Sequence, residues 1–245
     1  GIDSLHGGDG NDIFAVAATG DFLGLTTAET VQGDDGTDTL RFDEATNTTV
    51  TAADLNAINS IEKIVFNGAG ALSITLSDTV FANNGSSSII IQSSAAGAFT
   101  VAAGGLSAAN SLDVRPFTTD TPNTDTITGG AGDDVIRYYD MATLDDADTI
   151  NGNAGTDSLV LYAAGNAHSA TYTNISKIES ITYALYTTTE AVTATLADGN
   201  FVSIDSAPIS ASTITSVVTV DASAENDSTV ALTGGTGADI LTGTD

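Results

Sequence analysis

Glycine and aspartate recur at fixed offsets in nine-residue segments, and this spacing indicates turns built to hold a hard metal cation. Glycines stand at positions one and four of every segment and at position two of three of the five. An aspartate stands at position six and an apolar residue at position eight. The segments are Gly7–Ala15, Gly33–Arg41, Gly129–Arg137, Gly152–Val160 and Gly234–Thr242. Glycine permits positive φ, which turns carbonyl oxygens inward. Because calcium takes about six to eight oxygen ligands, we expect an ion between two stacked turns rather than within one.

Equal spacings between acidic residues predict which turns stack. Glu29 follows Asp3, and Asp38 follows Asp12, at an offset of 26 residues. Asp148 follows Asp125, and Asp157 follows Asp134, at an offset of 23. Within each half of the chain, the two acidic pairs thus have the same offset. We therefore expect one coil of the chain to lie on the next, with a row of acidic turns along each of its two edges. Residues beyond two nonapeptides per coil are expected to bulge out near Ala18–Leu25 and Tyr139–Asp145.

The stacked turns give a definite set of candidate calcium ligands. Calcium is expected between the Gly7–Asp12 and Gly33–Asp38 turns, and between the Gly129–Asp134 and Gly152–Asp157 turns. A second row would pair Asp3 with Glu29 and Asp125 with Asp148, while the Gly234–Asp239 turn lacks an upper partner and is expected to bind weakly. The full set is Asp3, Gly7, Asp9, Gly10, Asp12, Glu29, Gly33, Asp35, Gly36, Asp38, Asp125, Gly129, Ala131, Gly132, Asp134, Asp148, Gly152, Ala154, Gly155, Asp157, Gly234 and Asp239.

A longer repeat indicates tandem modules. Gly129 follows Gly7 by 122 residues, and Ile178-Glu-Ser-Ile181 follows Ile61-Glu-Lys-Ile64 by 117. We therefore predict one module over residues 1–122, a second over 123–233 and the start of a further repeat at 234–245. Both ends cut through a repeat, so we expect a piece of a longer array.

The segments between the repeats favour short β-strands. Thr51–Asp54 resembles a capping box before one or two helical turns at Leu55–Ile58. Parallel β-helix coils fit the rhythm of the later segments, with a β-sandwich as the competing architecture. The predicted strands are Ile61–Phe66, Leu72–Leu76, Ser88–Gln92, Phe99–Ala103, Leu112–Phe117, Ile178–Tyr183, Val192–Leu196, Phe201–Asp205, Thr213–Val220 and Thr229–Thr233.

Composition excludes several classes of function. The chain of 245 residues has 5 Lys+Arg against 32 Asp+Glu, a net charge of −27, which argues against a nucleic-acid partner or an anionic membrane surface. The absence of cysteine removes thiol catalysis and zinc-thiolate sites. The two histidines, His6 and His168, fit no catalytic motif, and the sequence contains no apolar run of about 18 residues. We expect no enzyme activity and no transmembrane segment.

The nonapeptide resembles the RTX (hemolysin-type) calcium-binding repeat. The resemblance implies an all-β fold, a right-handed parallel β-roll or β-helix solenoid with calcium in its turns, and type I secretion. Asp34 and Asn153 depart from the motif at position two, and Glu29 replaces a position-six aspartate. The repeats come in short pairs separated by long Thr- and Ala-rich stretches. That layout looks more like bacterial S-layer proteins and large surface adhesins than like the uninterrupted repeats of RTX enzymes.

These observations predict an extracellular calcium-binding structural protein of a bacterial surface layer or similar self-assembling lattice. Its expected partners are calcium ions and neighbouring copies or modules, and cell-surface glycans are candidate partners. The alternatives are a spacer region of an RTX adhesin and the secretion and folding region of an RTX enzyme.

Overall fold

Short parallel strands make up about half of the described chain. The computed structural model describes residues 4–17, 30–94, 97–116, 124–140, 143–163, 168–185, 191–198, 207–226 and 228–244. The strands are β1 (Ser4–Asp9), β2 (Ile13–Val16), β3 (Thr30–Asp35), β4 (Thr39–Phe42), β5 (Thr48–Val50), β6 (Ile58–Asn59), β7 (Lys63–Phe66), β8 (Leu72–Thr75), β9 (Ser88–Ser93), β10 (Phe99–Ala102), β11 (Ser111–Arg115), β12 (Thr126–Thr128), β13 (Val135–Tyr138), β14 (Thr149–Asn151), β15 (Ser158–Ala163), β16 (His168–Thr171), β17 (Ile175–Ser176), β18 (Ser180–Leu185), β19 (Val192–Thr195), β20 (Ala207–Ser210), β21 (Val218–Asp221), β22 (Val230–Thr233) and β23 (Ile240–Thr242). A 3-10 helix at Asp54–Ala57 and the α-helix α1 (Asp78–Asn84) interrupt them.

The strands form a solenoid in which every pairing among the described residues is parallel. One face is a ten-stranded sheet of order β2-β4-β7-β9-β11-β13-β15-β18-β20-β22. The strands between its members form three smaller sheets, β1-β3-β6, β17-β14-β12-β10-β8-β5 and β16-β19-β21-β23. The predicted all-β parallel solenoid is confirmed, and the competing β-sandwich is wrong.

The core is a stack of like residues, because parallel in-register strands place equivalent side chains on one another. In the ten-stranded sheet, Leu40, Ile64, Ile91, Val114 and Ile136 share one inward row and are all 0–1% exposed. Phe42 stacks on Phe66 at a ring-centroid distance of 5.2 Å. The apolar residue at position eight of the nonapeptide is therefore the one that anchors each coil to its neighbours.

The connections between strands differ in part from the sequence predictions. The helical turn after Thr51 is present at Asp54–Ala57, and the Asp54 carboxylate accepts the Thr51 N–H at 2.8 Å. The Thr51 hydroxyl donates to the same carboxylate and does not cap the helix, so the predicted capping box forms only in part. Helix α1 is an addition: it ends at Gly85, which has φ 61°, and it buries Val80 and Phe81. The predicted strand Phe201–Asp205 and the bulge at Ala18–Leu25 lie outside the described residues, and the β13–β14 connection spans residues 139–148.

The ten-stranded sheet continues across residue 122. Strand β11 pairs with β13 through Asp113 and Val135, and β10 pairs with β12 through Thr100 and Thr126. The two sequence repeats thus share one sheet, and the module bounds at 122 and 233 stay a prediction about the repeat itself.

Candidate metal centre

The glycine-aspartate turns stack in pairs, as their spacing predicts. The turn Gly7–Asp12 joins β1 to β2, and Gly33–Asp38 joins β3 to β4. Pairing of β1 with β3 and of β2 with β4 places the second turn on the first with an offset of 26 residues. In the same way, the Gly152–Asp157 turn lies on Gly129–Asp134 with an offset of 23 residues.

The position-six aspartates of stacked turns are joined by a ladder of hydrogen bonds. The backbone N–H of Asp12 donates to Oδ1 of Asp38 at 2.7 Å, and that of Asp134 donates to Oδ1 of Asp157 at 2.8 Å. Asp134 Oδ1 in turn accepts the N–H of Leu112 at 2.7 Å. One oxygen of each upper aspartate therefore fixes the coil below it, which leaves the other oxygen for a different partner.

The second carboxylate oxygens lie inside the turns, and several of them lack a partner. Oδ2 of Asp12, Asp38 and Asp157 is buried without a hydrogen bond among the described residues. Each Oδ2 faces the first glycine of its own turn, where a Cβ would overlap it, as at Gly7 and Gly152. Burying a carboxylate oxygen without a partner costs free energy of folding, and a bound cation would offset this cost. The site therefore fits a cation rather than an apolar side chain.

Carbonyl oxygens of the next coil border the same spaces. The place that a Cβ on Gly7 would take lies 2.7 Å from the carbonyl oxygen of Gly33, and the corresponding place at Gly129 lies 2.5 Å from that of Gly152. Each pair of turns thus brings a carboxylate oxygen of the lower turn near a carbonyl oxygen of the upper one. Position-one glycine is required here because any side chain would fill the space.

Left-handed backbone explains both departures from the motif at position two. Asp34 has φ 70° and Asn153 has φ 83°, close to the 92° of Gly8. Aspartate and asparagine tolerate this conformation better than other side chains. The two substitutions therefore keep the shape of the turn. At position four, Gly10, Gly36 and Gly155 also have positive φ.

The other predicted ligands in these turns lie at positions three and four of the nonapeptides. Asp9 and Asp35 at position three are exposed. The backbone N–H groups of Ala131 and Ala154 donate to carbonyls of the coil below. Position-four Gly132 is buried, and Asp3 and Glu29 lie outside the described residues. Whether each of these residues ligates an ion stays a prediction.

The second row is brought into register but is satisfied differently. Asp125 accepts the N–H of Phe99 at Oδ1, and its Oδ2 lies 3.5 Å from the Tyr138 hydroxyl. Asp148 accepts the N–H of Asp125 at 2.8 Å and that of Asp145 at 2.9 Å. Because all four oxygens have partners, this row works first as a structural ladder, and its calcium ligation stays a prediction.

The last nonapeptide turn lies on the edge of the second row. Gly234–Asp239 joins β22 of the ten-stranded sheet to β23, and it lies on the turn at residues 211–217, where Thr236 N–H donates to the Ile214 carbonyl. Asp239 Oδ1 accepts the N–H of Val218 at 3.0 Å. The turn thus has a lower partner within the described chain, and its expected weak calcium binding stays a prediction.

Two acids that spacing alone did not identify extend the first row. Glu62 Oε2 accepts the N–H of Asp38 at 2.8 Å, and Glu179 Oε2 accepts that of Asp157 at 2.5 Å. Both glutamates lie in the Ile-Glu-x-Ile sequence that occurs at Ile61–Ile64 and again at Ile178–Ile181. The sequence alone predicts only strands for these two segments.

Burial raises the pKa values of several aspartates in the two rows. Burial is the largest cause in each case and raises the pKa of Asp125 to about 7, of Asp148 to about 6 and of Asp157 to about 7 from the usual 3.8. Neighbouring acids add to the shift, as Asp134 and Glu179 do at Asp157. The calcium-free protein therefore holds protons that the unfolded chain would release.

The donor set is that of a hard cation. No group of three or more His, Cys, Asp or Glu side chains in the described residues is placed to hold a metal. The ligands would therefore be backbone carbonyls with one or two carboxylates, a set that calcium accepts and that transition metals do not favour. When bound, calcium would supply positive charge between stacked turns.

The chain matches one protein family in three segments. Residues 1–23, 121–137 and 142–162 match the RTX calcium-binding nonapeptide repeat (4 copies). These segments include the first, third and fourth nonapeptides found by spacing, and they cover about a quarter of the chain. The chain thus carries RTX nonapeptide repeats on a parallel β-solenoid, and the ion that such repeats bind is calcium. Neither a curated protein nor a solved structure matches it. No helix in the described ranges combines the length and apolar character needed to cross a bilayer.

Replacing one position-six aspartate is expected to weaken calcium binding in its own module only. Asp157→Asn keeps an oxygen to accept the Asp134 N–H but removes the charge, so calcium affinity there should fall at least about 10-fold. Asp38→Asn is the matched change in the first module, because it likewise keeps an oxygen to accept the Asp12 N–H. Hydrogen exchange of each module during a calcium titration measures the effect, and equal loss of protection in both modules after one substitution would contradict it.

Calcium is expected to reverse the pH dependence of stability. A raised carboxyl pKa contributes stability that is full below the unfolded value of 3.8 and is lost as pH rises towards about 7. The calcium-free chain should therefore lose thermal stability between about pH 4 and pH 8. Calcium needs ionised carboxylates, so its stabilising effect should grow over the same range. Melting temperatures in metal-free and calcium buffers test this, and parallel curves would contradict the assignment.

Proposed function

We propose that the chain is an extracellular, calcium-dependent structural repeat protein, part of a bacterial surface layer or a comparable self-assembling lattice. The observation that carries the proposal is the row of buried carboxylate oxygens that have no hydrogen-bond partner among the residues that the structure describes and that suit a cation. Extracellular calcium modules work at about 0.1–1 mM calcium, a concentration met outside cells. Folding would then take place after export.

The distribution of charge supports association with other copies. Four of the chain's five basic residues lie at outward positions of the ten-stranded sheet, on β4, β7, β11 and β13: Arg41, Lys63, Arg115 and Arg137. Asp113 pairs with both Arg115 and Arg137, at 2.6 and 3.0 Å. The strands of this sheet contain these four basic residues and a single acid, Asp113, in a chain with net charge −27. The acidic turn edge of a second copy would therefore meet little repulsion from this face.

A structural role fits the residues better than catalysis. The sequence contains no cysteine and only two histidines. His6, on an exposed strand, has Nδ1 3.4 Å from the Asp34 carboxylate, a surface contact. We therefore propose that the stacked turns bind ions and stabilise the solenoid, and that they do not catalyse a reaction.

The interleaved layout also supports the spacer of an RTX adhesin as a second candidate. Calcium would stiffen such a spacer by the same contacts. The two differ in whether isolated chains assemble, because a spacer needs no contact between copies.

Calcium is expected to drive both folding and assembly of the purified chain. Addition of about 1 mM calcium to metal-free protein should raise strand content in circular dichroism, and electron microscopy should then show ordered sheets or fibres. Magnesium at the same concentration is the control, since it retains its water ligands and needs stricter geometry. Folded monomers at every protein concentration would support the adhesin spacer over the lattice, and unchanged strand content would contradict calcium-dependent folding.

A further inference from the structure

The ladder of stacked carboxylates continues one coil beyond each pair of glycine-aspartate turns. After the Gly33–Asp38 turn, the next coil turns at residues 60–62, between β6 and β7. After the Gly152–Asp157 turn, it turns at residues 177–179, between β17 and β18. In both, a glutamate takes the place of the aspartate and accepts the N–H of the aspartate below. We call these two segments the glutamate turns.

The aspartates beneath the glutamate turns have deeply buried, unpaired oxygens. Asp38 and Asp157 are both 0% exposed, and their Oδ2 atoms find no hydrogen-bond partner in the described ranges. Of the two aspartates that face an ordinary nonapeptide turn, Asp12 also has an unpaired Oδ2 among the described residues, whereas Oδ2 of Asp134 accepts the N–H of Gly130 at 2.6 Å. The same orphaned oxygen thus occurs in both modules at the same layer.

A carbonyl oxygen from each glutamate turn lies beside that orphaned oxygen. The Ser60 carbonyl oxygen and Asp38 Oδ2 both lie closer than 3.0 Å to the place that a Cβ on Gly33 would take. The Lys177 carbonyl oxygen and Asp157 Oδ2 have the same relation to Gly152. Ser60 and Lys177 have φ 51° and 54°, a left-handed conformation that is costly for these side chains and that recurs at both places.

We propose that each module binds a further calcium ion between its second glycine-aspartate turn and its glutamate turn. The oxygen donors would be Asp38 Oδ2, the Ser60 carbonyl and the Glu62 carboxylate in the first module, and Asp157 Oδ2, the Lys177 carbonyl and the Glu179 carboxylate in the second. A carbonyl and two carboxylates suit a hard divalent cation. The inference rests on the proposed calcium-dependent function and extends it to turns that lack the motif.

The glutamate turns are independent of the motif that identified the other sites. They contain no glycine, and the family match ends at residue 162 in the second module and at residue 23 in the first. Their common feature is the Ile-Glu-x-Ile sequence, repeated 117 residues apart. The same arrangement therefore recurs at the same place in both sequence repeats.

Ion counting by native mass spectrometry of the folded 245-residue chain tests the proposal. Glu62→Gln and Glu179→Gln keep an amide oxygen that can accept the aspartate N–H but remove the charge. Each is expected to lower the number of bound calcium ions by one, and the double variant by two. Glu44→Gln is the matched control, since Glu44 lies in the loop after β4, where it accepts the Thr46 hydroxyl, and this change should leave the count unaltered.

The unaltered chain gives a second, independent measurement should either variant fail to fold. It is expected to bind at least four calcium ions, two between nonapeptide turns and two beneath the glutamate turns. A saturated count of two, or folded glutamine variants with the parental count, overturns the additional sites and leaves the proposed function intact. A chain that folds without binding any calcium would overturn the proposed function instead.

Discussion

Buried carboxylates stacked one coil apart are the constraint on which this solenoid depends. Each aspartate enters the turn because one of its oxygens fixes a backbone N–H of the neighbouring coil, as Asp38 does for Asp12 and Asp157 for Asp134. That bond leaves a second oxygen buried beside a glycine, with further acids one coil away. Burial and mutual repulsion make the ionised form unfavourable, which the raised pKa of Asp157 expresses. Protons or a cation must therefore accompany folding.

The two turn edges meet this constraint in different ways. On the edge formed by the first four nonapeptide turns, three Oδ2 atoms have no hydrogen-bond partner among the described residues, so a bound cation would complete their coordination. On the other edge, Asp148 takes two backbone N–H groups, and Tyr138 approaches Asp125. The second edge can thus form before any ion is bound. Such a division would let calcium control one side of a coil while the apolar core and the other edge set its register.

The sequence was sufficient for the solenoid and for the stacking of turns, because both depend on periodicity. Equal offsets of 26 and 23 residues became the observed registers of β1 with β3 and of β12 with β14. The sequence was not sufficient to predict the glutamate turns. Ser60 and Lys177 adopt a left-handed backbone there, and neither position has the glycine from which such a backbone can be predicted. The hydroxyl of Tyr138 near Asp125 and helix α1 likewise depend on how coils pack, which spacing does not encode.

Crystals grown in calcium would test the central claim most directly, through anomalous difference maps measured with a lanthanide exchanged for calcium. The account predicts peaks between stacked turns, next to the Oδ2 atoms of Asp12, Asp38 and Asp157, which have no hydrogen-bond partner in the described chain. Stacked turns with no peak at any of these oxygens, in crystals saturated with the ion, would contradict it.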